Sequence, residues 1–285
     1  MPVPPKEKLP ERVFAAFYAN DTYIKMIDAQ CEKVLPILAS HPVTITNTFL
    51  TCMVERLHAG ILSIDPLFSH YLKEPRIQFS LGILIRALHL DYLIMLNVLE
   101  IMKRNDNNTQ SLLKEAEHFC HIMLSDSARH TLNLFKTNNI PPKVRKQLYI
   151  DLVRRHSECF KPYANDGSVP VLLLDQSYSP NRLVKKLRES SMPRLANKDH
   201  HYQFYSKYDH FGKLFHTISK NEFTWEFVHL GEAIRELPRS FGIMLTLALI
   251  STGGDPAIIE VATVVNKHCE AMDAQEKKEK IESVL

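Results

Sequence analysis

The chain has 285 residues and a formal net charge of +3; 45% of its residues are hydrophobic and 24% are charged. This is the composition of a globular protein, which excludes disorder over the whole chain. Only 8 glycines occur, whereas average usage of about 7% would give about twenty. Because β-rich folds and phosphate-binding α/β folds use glycine in turns and at close backbone approaches, an all-α fold is predicted.

Apolar spacing and helix-terminating residues predict a series of helices in the first half of the chain. In chain order these are a helix from about residue 21 to 38, one over 45–62, a short one from Asp65-Pro66, one over 78–104, one over 110–136 and one from Pro141. The 78–104 segment is apolar nearly all round, which is typical of a helix in the centre of a bundle. The sequence therefore predicts a multi-helix bundle around this long helix.

A proline-rich loop divides the chain. Residues 161–180 contain Pro162, Gly167, Pro170 and Pro180, and the apolar run 171–174 within them is either a short strand or a buried plug. We therefore predict a helical bundle over 1–160, a loop or lid over 161–180, and a second helical layer over 181–285. Whether this last segment completes the same bundle or forms a second one stays open.

The cysteine distribution and the hydropathy of the chain indicate its cellular compartment. The five cysteines are odd in number, scattered and without a Cys-x-x-Cys pair, which disfavours a disulfide framework. The first twelve residues lack the apolar region of a signal peptide, and no uncharged apolar run of 18 residues occurs. A cytoplasmic protein without membrane association is expected.

Positive charge is concentrated in one part of the chain. Residues 136–220 contain 16 Lys and Arg but only 7 Asp and Glu, and aromatic residues are interleaved with them. Basic residues beside aromatic ones are typical of surfaces that bind phosphates and unstacked bases. The candidate nucleic-acid-binding residues are Arg182, Lys185, Lys186 and Arg188. The alternative is the ordinary solvated face of a helix, with the aromatic residues in the core.

Two further segments carry a resemblance. The segment 84–92 places Arg86 and His89 in the central apolar helix, and the segment 205–212 contains Ser206 and His210 in a Ser-x-x-x-His pattern. Together they resemble bacterial helical domains of unknown function related to the HEPN superfamily. The resemblance implies that Arg86, Ser206 and His210 meet at the centre of the bundle. His89 joins them because it lies three residues after Arg86 on nearly the same helix face.

The resemblance also implies an activity. HEPN domains that cut RNA use an Arg-x(4–6)-His motif without a metal or other cofactor, and two such motifs often meet at a homodimer cleft. Here the matches are Arg194 with His200 or His201. Histidine would act as the general acid or base, and arginine would stabilise the charge on the phosphorus centre. The expected function is RNA or nucleotide binding, with cleavage of a toxin or defence type.

Two other functions stay open. A non-enzymatic interaction protein would dock its basic, aromatic-rich face on an acidic partner. A metal site in the bundle would use Glu-x-x-His pairs, which put both ligands on one helix face. The sequence has three such pairs, and we do not predict a metal site from them. The outside candidates for metal ligands are Glu55, His58, Glu115 and His118. P-loop, Rossmann, Gly-x-Ser-x-Gly and His-Glu-x-x-His motifs are absent from the sequence.

Overall fold

The computed structural model describes residues 11–71, 73–74, 77–174, 176–205 and 223–282. The described residues form nine α-helices and no extended strand, which confirms the all-α prediction. The helices are α1 (Glu11–Ser40), α2 (Ile45–Tyr71), α3 (Gln78–Arg104), α4 (Thr109–Thr137), α5 (Pro142–Arg155), α6 (Pro180–Arg188), α7 (His200–Tyr205), α8 (Phe223–Thr252) and α9 (Pro256–Glu282). A 3-10 helix over Pro193–Asp199 leads directly into α7.

Helix α3 lies at the centre of the fold, as its apolar pattern predicts. It packs against α2, α4, α6, α7 and α8. Leu81, Ile85, Leu93 and Met95 have no solvent exposure. The stretch Ser80–Arg104 is long and apolar enough to cross a membrane by length and composition alone, but 72% of its most apolar window is buried inside the fold. Burial against five other helices accounts for its hydrophobicity.

The hydrophobic core is continuous across the 161–180 loop. One cluster of buried side chains includes Leu93 of α3, Leu183 of α6 and Leu237 of α8. Within the loop, Phe160 and Leu172 form an isolated antiparallel bridge. Leu172 packs against the core, while Val171 and Leu173 on either side of it are about half exposed. The apolar run 171–174 is thus held by two backbone hydrogen bonds, made by the Val171 carbonyl oxygen and the Leu173 N–H, and by the core contact of Leu172.

The helix break predicted at Asp65-Pro66 is wrong, because helix α2 is continuous through these residues. A single helix runs through Pro66 from Ile45 to Tyr71. A proline inside a helix costs about 3 kcal/mol because it removes a hydrogen bond to the carbonyl four residues earlier. That residue is Leu62, which is 54% exposed, whereas Ile64 and Phe68 beside the proline are buried. Burial stabilises such side chains by about 1.5–3 kcal/mol each, which outweighs the loss.

The chain turns between α8 and α9 at Gly253-Gly254. Both glycines have positive φ, 71° and 88°, between the end of α8 and the start of α9. The Gly254 N–H donates to the Leu249 carbonyl oxygen at 2.8 Å, which closes the last turn of α8. Only glycine adopts this left-handed conformation without steric cost. The turn lets α9 pack back against α8.

Candidate functional site

A cluster of histidines lies where α7 crosses the middle of the bundle. Helix α3 contributes His89, the start of α7 contributes His200 and His201, and α8 contributes His229. The ring centroids of His89 and His201 are 5.0 Å apart, and those of His200 and His201 are 3.7 Å apart. Residues from three separate parts of the chain therefore converge at one place, which we call the histidine cluster (His89, His200, His201 and His229).

His89 is held in one orientation in the core. It is 1% exposed, and its Nε2–H donates to the Ala233 carbonyl oxygen of α8 at 2.9 Å. Its Nδ1 atom is buried and has no hydrogen-bond partner among the described residues. A second proton would have to reside on this unpaired atom. Burial, the largest cause, lowers the pKa of His89 to about 4.

His201 is the buried centre of the cluster, and His200 is its exposed edge. His201 is 2% exposed, and its Nδ1 also lacks a hydrogen-bond partner among the described residues. Burial, followed by the neighbouring imidazoles of His89 and His200, lowers the pKa of His201 to about 2. The His200 side chain is exposed, and its Nδ1–H donates to the Asn197 carbonyl oxygen at 2.8 Å. His201 is therefore a neutral imidazole at pH 7.

A carboxylate of α8 completes a potential metal-binding group with two of these histidines. One ligand atom each from His200, His201 and Glu232 lie within 4.8 Å of one another. This is the single group of three such residues in the described part of the chain whose ligand atoms lie that close. Glu232 Oε2 is also 3.5 Å from Nδ1 of His229, one turn earlier on α8.

A buried ion network lies beside the histidine cluster. The Glu236 side chain is 5% exposed and contacts the ammonium of Lys198 and the guanidinium of Arg239. It also accepts a hydrogen bond of 2.8 Å from the hydroxyl of Tyr92. Although burial by itself raises the pKa of Glu236, the charges of Lys198 and Arg239 outweigh it and lower the pKa below its ordinary value. The carboxylate is thus ionised and joins three elements of the fold.

Arg86 and His89, predicted to share a pocket, both contact α7. A guanidinium nitrogen of Arg86 donates to the Tyr202 hydroxyl at 3.1 Å, and its carbon lies 4.9 Å from the centre of that ring. Tyr202 of α7 is thus a partner of Arg86. Ser206 and His210 of the predicted pocket lie outside the described residues.

The residues predicted to cleave RNA differ in solvent exposure. Arg194 and His200 are exposed, whereas His201 is buried. Arg194 lies in the 3-10 helix that ends at Asp199. His200 begins the next helix, α7. No hydrogen bond or ion pair joins Arg194 to either histidine among the described residues.

The predicted nucleic-acid-binding residues form one exposed surface, which we call the basic surface (Arg182, Lys185, Lys186 and Arg188). All four side chains are exposed on α6. The other side of this helix buries Leu183, Val184 and Leu187, so the amphipathic pattern holds the charges outward. Lys186 lies 4.3 Å from the centre of the Tyr178 ring. Two of the charges have acidic neighbours, with Lys185 at 3.7 Å from Glu189 and Arg188 at 4.0 Å from Asp199.

The outside metal candidates do not meet. Glu55 and His118 are exposed, and His58 binds Asp28 of α1 at 2.9 Å. Glu115 binds Arg104 at 2.7 Å at the turn between α3 and α4. The structure therefore places these four residues in separate local contacts and brings a different set, His200, His201 and Glu232, together.

Sequence reasoning missed Glu232 and Glu236. The signal available in the sequence was the spacing His229-x-x-Glu232-x-x-x-Glu236, which places all three on one face of a helix. This pattern does not reveal that the same face meets His89, His200 and Lys198, because those residues belong to other elements.

The comparisons with known proteins give no further assignment: no family model, no curated protein and no solved structure matches this chain.

Proposed function

We propose that this protein binds single-stranded RNA through the basic surface of α6. The observation that carries the proposal is the exposure of all four basic side chains on a helix whose apolar side is buried. The arrangement presents ammonium and guanidinium groups to phosphates without unfolding any part of the core. The half-buried Tyr178 beside Lys186 provides an aromatic ring next to these charges. Positive charge beside an aromatic ring suits a phosphate backbone with unstacked bases.

A salt titration tests the binding. We expect wild-type protein to bind a labelled single-stranded RNA in EDTA-containing buffer, with an affinity that falls steeply as salt increases. The triple variant Arg182→Gln, Lys185→Gln, Lys186→Gln removes three phosphate contacts. For single strands the slope of log affinity against log salt changes by about 0.7 per contact, so the slope should become shallower by about 2. Fluorescence anisotropy measures both slopes.

A charge-matched control separates a specific surface from overall charge. Lys33, Lys103 and Lys267 are exposed on α1, α3 and α9. Their combined replacement by Gln lowers the net charge by the same amount and should leave the slope unchanged. Equal effects of the two variants, or no binding by the wild type at 50 mM salt, would refute the proposal. Equal competition by polyglutamate would instead support an acidic protein partner.

RNA cleavage by Arg194 and His200 is the second candidate. Both side chains are exposed, and the 3-10 helix that carries Arg194 leads directly into α7, which begins with His200. Wild-type protein should cut a labelled single-stranded RNA in EDTA and leave 2′,3′-cyclic phosphate ends. Because a general acid or base contributes about 10²–10⁴-fold, His200→Ala should reduce the rate at least about a hundredfold. The exposed His130 provides the control, since His130→Ala should cut at the wild-type rate. Absence of cleavage, or equal rates for both variants, would exclude this activity.

A further inference from the structure

We propose that His200, His201 and Glu232 form a binding site for a divalent transition-metal ion such as Zn²⁺. The site is independent of the basic surface, which lies on another helix. One ligand atom from each of the three side chains lies within 4.8 Å of the others. Two imidazoles and one carboxylate form a donor set that suits Zn²⁺ and its neighbours in the first transition row better than Mg²⁺ or Ca²⁺.

The three side chains differ in how freely they can rotate, and this allows them to move together around an ion. A tetrahedral ion with bonds of about 2.0–2.1 Å holds its ligand atoms about 3.4 Å apart. Because the ligand atoms lie within 4.8 Å of one another, no separation between them has to shorten by more than roughly 1.4 Å. His201 is fixed in the core, whereas His200 and Glu232 are exposed and can rotate towards it. One buried ligand thus serves as the anchor, and two surface ligands make the adjustment.

The anchor carries a buried ring nitrogen without a partner among the described residues. The Nδ1 atom of His201 has no hydrogen-bond partner in the described structure. A buried polar atom without a partner is rare in folded proteins, because the missing hydrogen bond costs about 1–3 kcal/mol.

The surrounding charges are compatible with a cation. The ammonium of Lys198, which precedes the two histidines in the chain, forms an ion pair with Glu236. Nδ1 of His229 lies 3.5 Å from Oε2 of Glu232 and can hold that carboxylate in place. Such outer partners of a ligand orient it and strengthen metal binding.

Three protein ligands leave the fourth tetrahedral position for water or another molecule. Sites of this kind bind and polarise an exogenous ligand, whereas purely structural zinc sites have four protein ligands. His200 cannot hold a metal and serve as the general acid or base of RNA cleavage at the same time. Zn²⁺ should therefore inhibit any cleavage that depends on His200.

Calorimetric titration of the full chain with Zn²⁺ tests the site. After dialysis against EDTA and then metal-free buffer, we expect one high-affinity ion per chain and no comparable binding of Mg²⁺. His200→Gln and Glu232→Gln each remove an exposed ligand without disturbing the core. Each should weaken Zn²⁺ binding at least about tenfold, since even outer partners of a metal are worth about 10–100-fold.

The chain contains 14 histidines, so a control variant is needed to detect adventitious Zn²⁺ binding. His118 is an exposed histidine of a Glu-x-x-His pair on α4, and His118→Gln should bind Zn²⁺ as the wild type does. Unchanged affinity in both ligand variants, or an equal loss in His118→Gln, would overturn the proposal. The titration contains no RNA and the RNA experiments contain EDTA, so failure of one proposal leaves the other intact.

Discussion

Replacement of Glu236 by alanine should lower the free energy of unfolding by about 1–3 kcal/mol, the usual cost of leaving a buried polar group without its partner. Glu236 is the common partner of Lys198, Arg239 and Tyr92, and its side chain is 5% exposed. Its removal leaves the Lys198 ammonium and the buried Tyr92 hydroxyl without this partner, whereas Arg239 keeps its 2.6 Å ion pair with Asp273. The penalty arises from these abandoned groups rather than from the intrinsic strength of each contact.

Urea denaturation at pH 7 measures this effect. Glu232→Ala is the matched control, since Glu232 lies one turn earlier on the same helix but has a side chain that is 49% exposed. In metal-free buffer this exposed substitution should change the free energy of unfolding by less than about 0.5 kcal/mol. Glu236→Gln keeps the size of the side chain and a hydrogen-bond acceptor, and should fall between the two alanine variants. Equal losses for Glu236→Ala and Glu232→Ala would show that the ion network does not stabilise the fold.

Acidification should destabilise the protein through His89. The folded state holds the pKa of His89 at about 4, compared with 6.5 for an unperturbed histidine. Above pH 6.5 both the folded and the unfolded states carry a neutral imidazole, so the stability is unaffected. As the pH falls below 6.5 the unfolded state binds a proton that the folded state does not. At 1.36 kcal/mol per pKa unit, the free energy of unfolding should fall by about 3 kcal/mol between pH 7 and pH 4.

The groups around His89 act in opposite directions, but burial dominates. The Ala233 carbonyl oxygen and the carboxylate of Glu236 favour the protonated form, while His200 and Lys198 oppose it. His201, packed against the ring of His89, also has a lowered pKa and destabilises the folded state in the same pH direction.

Glutamine at position 89 isolates the contribution of that side chain. His89→Gln keeps an N–H that can donate to the Ala233 carbonyl but has no titrating group. In EDTA, the pH dependence of the free energy of unfolding between pH 7 and 4.5 should therefore become shallower than in the wild type. His130, whose side chain is 77% exposed, provides the control, and His130→Gln should keep the wild-type slope. Identical slopes for wild type and His89→Gln would contradict the assigned pKa.

Local pattern predicted most of the fold. The low glycine content and the apolar spacing indicated helices throughout, and the bounds 78–104 of the central helix match those of α3. The outward position of Arg182, Lys185 and Lys186 also followed from the amphipathic pattern of a single helix. These features depend on residues three or four positions apart, so a sequence contains them directly.

The helix break predicted at Asp65-Pro66 was wrong because contacts between residues distant in the sequence decided the structure there. A local rule ended the helix at the proline, but Ile64 and Phe68 are buried against the rest of the fold and keep α2 continuous. The energy that decided this helix comes from packing against other elements. Such a contribution is absent from any window of a few residues.

The histidine cluster depends on tertiary structure alone. The sequence determined by itself that the chain is helical, that α3 is central and that positive charge concentrates after residue 136. It did not indicate that His89 contacts Ala233, 144 residues away, or that Glu232 lies beside His200 and His201. The apolar spacing along a helix shows which of its faces is buried, but not which other helix packs against that face. The packing of α3 against α7 and against α8 brings these residues together, and the burial of apolar side chains stabilises that packing.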